Sequence, residues 1–384
     1  MVNSERILKE FLELVQVDSV SGKERKMADL LKQKLSEIGL EVSEDSAGRD
    51  AGSDTGNIIG RLPGKSGAPV LLLSAHMDTV EPGSGVKPQI DGGIIRSSGD
   101  TVLGADDKAG IAAILEVLRL IHEQNLEHGG LEVVFTIWEE GGLFGSKNLD
   151  YSKLSAAAGF VLDSDGPPGT IVTRAPWHDQ IGATITGRAA HAGINPEAGV
   201  NAIMVASQAI AGMKVGRIDE ETTSNIGIIT GGKATNIVPD SVTIQGEARS
   251  LDPAKLTVQT KHMCEALKST AAKFGVKANI VVERQYDGFS LDEQALPVRL
   301  ALKAAKNLGL TANLKKTGGG SDANVFNSLG IAAVVLGIGM KKVHTTEEFI
   351  SLDDLTGNAS YLLEIVRAAS SGNNDAAVHV KPTQ

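Results

Sequence analysis

The first 175 or so residues alternate between short apolar runs and amphipathic stretches, and this rhythm restricts the fold more than any other feature. "GNIIGRL", "APVLLLSA", "LEVVFTIW" and "AAGFVLD" have the length and β-branched content of strands. Residues 4–17 and 24–39 carry apolar side chains at helical spacing, and a long helix, "AGIAAILEVLRLIHEQ", separates the second run from the third. Strands separated by helices pair in parallel and are covered by those helices. The expectation is an α/β fold: a mostly parallel, mixed sheet with helices on both faces.

From about residue 179 the order changes. "QIGATITG" reads as a strand, "NAIMVASQAIAGM" as a helix, and "SNIGIIT" and "SVTIQGEAR" as strands. "AKLTVQTKHMCEALKSTAAKFG" is a helix and "KANIVVERQ" a strand. This β-α-β-β-α-β succession is the ferredoxin-like α+β order. After "DGFSLDEQ" the first style returns, with helix "LPVRLALKAAKNLG", the Gly-rich "TGGGSD", strand "IAAVVLGIG" and a last helix from about 351 to 369. The chain of 384 residues therefore divides into a discontinuous α/β domain, 1–178 and 291–372, an inserted domain, 179–290, and an aperiodic tail, 373–384.

Composition excludes several function classes. A net charge of −10 argues against nucleic acid as a partner, because phosphate binding needs a basic face. No stretch approaches the ~20 apolar residues that span a bilayer, so no membrane partner is expected. Cys264 is the single cysteine, which excludes an intrachain disulfide and fits a reducing cytosol. The start, "MVNSERILKEFLELVQV", reads as an amphipathic helix and not as a signal peptide. A cytoplasmic location is expected.

In open α/β sheets, ligands gather at the carboxyl ends of the strands. "APVLLLSA" runs into His76-Met77-Asp78, "LEVVFTIW" into Glu139-Glu140, and "AAGFVL" into Asp163-Ser164-Asp165. "IAAVVLGIG" is followed by a loop with His344, and Asp106-Asp107 opens the long helix. Taken singly, each has a plainer reading. His76 is a core histidine, His344 a surface one, the glutamates surface or capping acids, Asp106-Asp107 acids favoured by the helix dipole, and Asp163 and Asp165 turn residues. Those readings do not explain five segments converging on one edge. Such a cluster of negative charge calls for divalent cations, and imidazole with carboxylate suits zinc, manganese or cobalt. A carboxylate shared between two ions gives the two-metal arrangement used in hydrolysis. Gly141-Gly142 lets the strand break, so that one glutamate binds metal while its neighbour takes a proton from water.

Three features lie outside that edge. His191, in "RAAHAGINPEAG", is either a loop histidine capping a helix or a donor to the oxyanion of a tetrahedral intermediate. Arg249 either pairs with a substrate carboxylate or is a solvated strand end. "TGGGSD" lacks the lysine of a phosphate loop, so its glycines serve better as a place where substrate approaches the backbone.

"SAHMDTV", "LGADDKAG", "EEGGLFGSKNL", "DSDG", "AAHAGINPEAGVNA" and "VHTTEE" together resemble the signature segments of the dinuclear-zinc exopeptidases and deacylases. That family includes peptidase T (tripeptide aminopeptidase), aminoacylases and succinyl-diaminopimelate desuccinylase. "GADDKAGIA" points to the peptidase T-like branch. The resemblance implies that His76 binds the first zinc, with Asp78 supporting it, and that Asp106 bridges both ions through a cis Asp106–Asp107 peptide. It implies Glu139 as general base, Glu140 and His344 on the second zinc, and Asp165, favoured over Asp163, as last ligand of the first. His191 would act across a homodimer formed by the inserted domain, and Asn236, Arg249, Ser321 and Asp322 would line the substrate pocket. The implied activity is hydrolysis of an amide bond in short peptides, releasing N-terminal residues. The alternatives are an N-acyl amino acid amidohydrolase and, from another class, a non-catalytic metal-binding protein. Trp138 stands where the resemblance implies a small residue: it either narrows the site or packs beneath it.

Overall fold

The computed structural model describes residues 1–371, so the expected tail 373–384 lies outside the described residues. The chain forms two compact units. Unit 1 comprises Met1–Thr173, Ser290–Lys316 and the chain from Ser321 onward; unit 2 comprises Arg174–Phe289 with the short segment Thr317–Gly320.

Unit 1 is built on a mixed sheet. Its strands are β1 (Glu41–Glu44), β2 (Ile58–Leu62), β3 (Leu71–His76), β4 (Leu131–Thr136) and β5 (Ala158–Ser164). Strand β6 (Thr170–Ala175) follows, and a later strand, Ala333–Gly337, inserts beside β5. The spatial order is β1-β2-β4-β3-β5, then Ala333–Gly337, then β6. The four central strands, β4, β3, β5 and Ala333–Gly337, run parallel. Strands β1 and β2 are antiparallel additions at one side, and β6 turns back against Ala333–Gly337 at the other. Every residue of β3 and β4 is buried, as strands covered on both faces require.

The helices follow from local chemistry. Helix α1 (Ser4–Val15) starts at Asn3, whose side chain accepts from the Arg6 amide at 3.0 Å, and it buries Ile7, Phe11, Leu14 and Val15 on one face. Helix α2 (Arg25–Ile38) stops at Gly39, which adopts the left-handed conformation at φ 100°. Helix α3 (Ala105–Gln124) is apolar around most of its circumference and lies at the centre of the unit's core. Its buried Glu116 is held by the Arg6 guanidinium at 2.6 Å, so the charge is paired where it is desolvated.

Unit 2 carries an antiparallel sheet of β7 (Trp177–Thr186), β8 (Thr222–Gly231), β9 (Ser241–Ser250) and β10 (Lys277–Tyr286), in the order β8-β9-β7-β10. Helices α4 (Ala202–Ala211) and α5 (Pro253–Lys273) pack on it around a core of their own, including Ile185, Val205, Ile244 and Met263. This is the ferredoxin-like arrangement. Pairings not foreseen from the sequence include β1, β6 and a small sheet of Pro88–Asp91, Ile94–Ser97 and Phe349–Ser351. Pro88–Asp91 and Ile94–Ser97 pair as a hairpin across Gly92-Gly93, whereas β6 and Phe349–Ser351 become strands only through distant partners.

Helix α3 approaches β5 so closely that a Cβ on Gly110 would stand 2.4 Å from Asp107 Oδ1 and 2.6 Å from the Leu162 carbonyl oxygen. Helix propensity alone favours alanine there by about 1 kcal/mol. Overpacking costs roughly 1–3 kcal/mol and should win. Gly110→Ala is expected to lower the urea midpoint; an unchanged or raised midpoint refutes the close approach.

Candidate active site

Parallel pairing brings the donors together. In the β3–β4 ladder His76 stands opposite Thr136, so the chain beyond Thr136 projects past the same edge as His76. In the β3–β5 ladder Ser74 stands opposite Val161, and two residues further on each strand lie His76 and Asp163. Beside them, at the start of helix α3, stand Asp106 and Asp107, joined by a cis peptide and with backbone angles that are not yet helical. His344 comes from the loop before Phe349–Ser351, at φ 62°.

The centre is organised around one carboxylate. Asp106 Oδ1 lies 3.1 Å from His76 Nε2, and Asp106 Oδ2 lies 3.3 Å from His344 Nε2. On the His76 side, Asp163 Oδ1 is 3.9 Å from Nε2. On the other side, Glu140 Oε1 is 2.9 Å from His344 Nε2. Two donor groups therefore share Asp106. His76 is 2% exposed, and its Nδ1 faces the Asp78 carbonyl oxygen at 2.9 Å, which directs Nε2 towards Asp106. The Asp78 carboxylate accepts from the Glu139 amide at 2.9 Å, the Glu140 amide at 3.3 Å and the Ser21 hydroxyl at 2.6 Å.

The electrostatics call for positive charge. Burial and the neighbouring Asp163 push the Glu139 carboxyl well above its ordinary range. Burial and Asp106 do the same to Asp163, and burial, with Asp163 and Asp106 adding, raises Asp107. Hydrogen bonds to Asp106 and Glu140 raise His344 to about 10. Burial disfavours charge on His76, yet Asp106 and Asp78 outweigh it and raise its pKa. Asp107 Oδ1 is buried and has no hydrogen-bond partner. Two donor sets can hold a cation by distance alone, His76–Asp106–Glu140 and His76–Asp107–Asp163. Oxygen and imidazole donors in this number fit two divalent cations.

One expected ligand is corrected. Asp165 does not join the cluster: its side chain is 65% exposed and pairs with Lys315 Nζ at 2.6 Å. Strand β5 ends at Ser164 and the chain turns at Gly166, with φ 97°, so Asp165 lies beyond the last paired residue while Asp163 still points inward. Asp322 and Ser321, expected in a substrate pocket, are buried, and both oxygens of Asp322 accept from protein hydroxyls. Trp138 packs against Gly22 and Phe144, its ring 5.9 Å from the phenyl ring. The break in the strand comes before the glycines, at Trp138 with φ 48°.

The chain matches the family model described as "Peptidase family M20/M25/M40" over residues 72–368. The chain belongs to the M20/M25/M40 peptidase family. It is therefore a hydrolase of the metallopeptidase class. A crystal structure of a tripeptidase from Staphylococcus aureus is similar at 44% identity and a TM-score of 0.92, covering 97% of this chain and 100% of that one. The aminopeptidase PepT from Bacillus cereus is similar at 44% identity and a TM-score of 0.89, covering 96% and 99%. An uncharacterised Bacillus subtilis protein, YqjE, is 44% identical over 370 residues, 96% of this chain and 100% of its own.

Several supporting residues of this M20/M25/M40 peptidase escaped sequence reasoning. Glu348 is buried and accepts from the Gly104 amide at 2.7 Å and the Asp106 amide at 3.0 Å. Glu24 accepts from the Gly22 amide at 2.9 Å and the Trp138 amide at 3.1 Å. Burial pushes each carboxyl up to about 7. Their surroundings, "TTEE" and "SGKERK", read as solvated surface. Asp107, beside Asp106 in the motif, was the one with a signal.

The remaining expected residues lie in unit 2. His191 is exposed; its Nδ1 accepts from the Gly193 amide at 3.2 Å, and the Ala192 amide donates to the Asn236 carbonyl at 2.9 Å. Arg249 is half-buried, 3.0 Å from Glu247 Oε2 and 3.3 Å from the Tyr286 hydroxyl. His178 Nε2 is 3.1 Å from the same Glu247 oxygen. His178 and Arg249 together hold the Glu247 carboxyl down at about 2, below its ordinary 4.5. A depressed folded-state pKa contributes stability above about 4.5 that fades as pH falls towards about 2. Glu247→Gln is expected to lower the denaturation midpoint at pH 7, with the gap to wild type closing steadily below pH 4.5. A gap independent of pH would falsify the charge pairing.

Proposed function

We propose that this peptidase is a two-cation hydrolase that removes the N-terminal residue from short peptides, tripeptides foremost. The observation that carries the reading is Asp106, with one oxygen towards His76 and the other towards His344. His76, Asp106 and Asp163 would hold one cation; Asp106, Glu140 and His344 the other. Zinc is the proposed metal, and the donors also suit manganese or cobalt. Bound there, the cations would supply polarisation of the scissile carbonyl and activation of water.

The chain's own residues carry the proton and fix the geometry. Glu139 is buried beside the cluster, and its raised pKa suits a group that accepts a proton and returns it to the leaving amine. Asp78 orients the His76 ring and anchors the amides of both glutamates. His191 accepts at Nδ1, which leaves Nε2 as the ring position that would donate to an oxyanion. Asn236 and Arg249 are the proposed substrate contacts. Near-complete coverage of a tripeptidase at 44% identity supports peptides over N-acyl amino acids.

A homodimer through unit 2 supplies the partner. Among the described residues, strand β8 is paired on its outer side only at Thr223 and Ser224, which leaves residues 225–231 as an open edge. Ile228 and Ile229 on that edge, and Ile203 and Met204 on α4, are exposed apolar side chains. Light scattering should give a dimer for wild type and a monomer for Ile229→Lys; a wild-type monomer at micromolar concentration overturns this.

A panel of tripeptides and N-acyl amino acids, offered to zinc- or cobalt-loaded protein, tests the substrate class, and preferential turnover of the acyl compounds refutes it. Glu139→Ala should cut turnover by about 10²–10⁴-fold with both cations retained. Glu140→Ala should lose one cation. The reverse pattern exchanges their roles.

A further inference from the structure

The segment that presents Glu139 and Glu140 leaves β4 at Ile137 and re-enters regular structure in the short helical turn Phe144–Lys147. Within it the Gly142 and Leu143 amides both donate to the Glu139 carbonyl, at 2.9 and 2.8 Å, and the Gly145 amide donates to the Ile137 carbonyl at 2.9 Å. The loop is thus closed at its neck. Its two flanking residues are fixed by one distant group. The Thr136 hydroxyl, just before the loop, donates to Asp322 Oδ2 at 2.5 Å. The Ser146 hydroxyl, just after it, donates to Asp322 Oδ1 at 2.5 Å.

Asp322 is 1% exposed, in the first turn of the helix Asp322–Ser328, which packs on β5 and on Ala333–Gly337. The strand that carries Asp163 and the loop that carries the glutamates therefore share a contact through this helix. A buried carboxylate with one hydroxyl on each oxygen has its strongest hydrogen bonds committed to the protein, so it is not a group left for a substrate. A second clamp crosses the same neck. Asn57 Oδ1 accepts from the Ile137 amide at 3.0 Å, and Asn57 Nδ2 donates to the Gly145 carbonyl at 2.9 Å. Without Asp322 the Asn57 clamp would still close the neck, and only the flanks would be untied.

We propose that Asp322 is a positioning residue, clamping both flanks of the loop so that Glu139 and Glu140 are held in register with Asp106. This rests on the roles assigned to the two glutamates above. Removing an outer support of a ligand typically costs 10–100-fold in metal affinity or activity.

Three variants test it: Asp322→Asn, Ser146→Ala and Thr136→Val. The last two keep the carboxylate and remove one donor each, so they stand if Asp322→Asn fails to fold. In metal-free protein, amide hydrogen exchange over residues 137–145 should quicken by about tenfold or more, with the rest of unit 1 and the melting temperature nearly unchanged. Cobalt titration should show affinity weakened about 10–100-fold. With a tripeptide substrate, kcat should fall with KM little altered, and Ser146→Ala should add little to Asp322→Asn, since both act through one contact. A raised KM with kcat intact identifies a substrate contact and overturns the proposal. So do unchanged exchange and cobalt affinity, or losses that merely follow the melting temperature. If no tripeptide is cleaved even by wild type, the exchange and cobalt results still decide the clamp, and only the peptidase reading fails.

Discussion

Several carboxylates buried on one sheet edge repel one another, and those without N–H or O–H donors need positive charge to offset the cost of leaving water. The rest of unit 1 is arranged around that constraint. Asp106 sits between His76 and His344, one oxygen to each, and Asp163 and Glu140 stand outside the two histidines. Asp107 keeps one buried oxygen without a partner. The donors at this edge lie close enough to hold a cation.

Around it lies a second set of acids that are satisfied in a different way. Asp78, Glu24, Glu348 and Asp322 accept from backbone amides or hydroxyls of the segments that carry the inner donors. Glu348 reaches the Asp106 amide across 242 positions of sequence. Inner carboxylates face imidazoles and have few N–H donors; outer ones are filled by N–H and O–H groups. The difference in partners separates groups free to hold a cation from groups that hold the chain. Long-range hydrogen bonds of this kind keep donors on several loops in one geometry.

Much of the site was legible because a buried parallel strand is easy to read and the polar residue after it stands out. His76, Glu139 and Glu140 follow that logic, Asp106 was read as an acid opening the long helix, and the structure brings the four together. The acid after β5 did not yield to it. Asp163 and Asp165 are two apart and share a face of an extended chain, so alternation treats them alike. Only the point where pairing stops separates them: Ser164 is the last strand residue, and Asp165 turns out to Lys315. Glu24 and Glu348 were missed for the opposite reason, since their polar neighbours concealed burial imposed by contacts far along the chain.

The sequence by itself determined the α/β rhythm, the α+β insertion and the kinds of donor at the strand ends. These depend on periodicity and on residue chemistry, which are local. Tertiary structure decided which acid faces inward, which carboxylates hold loops in place and which segments become edge strands. Those outcomes depend on register and on where each ladder ends, and both are set by pairing between segments that no local pattern connects.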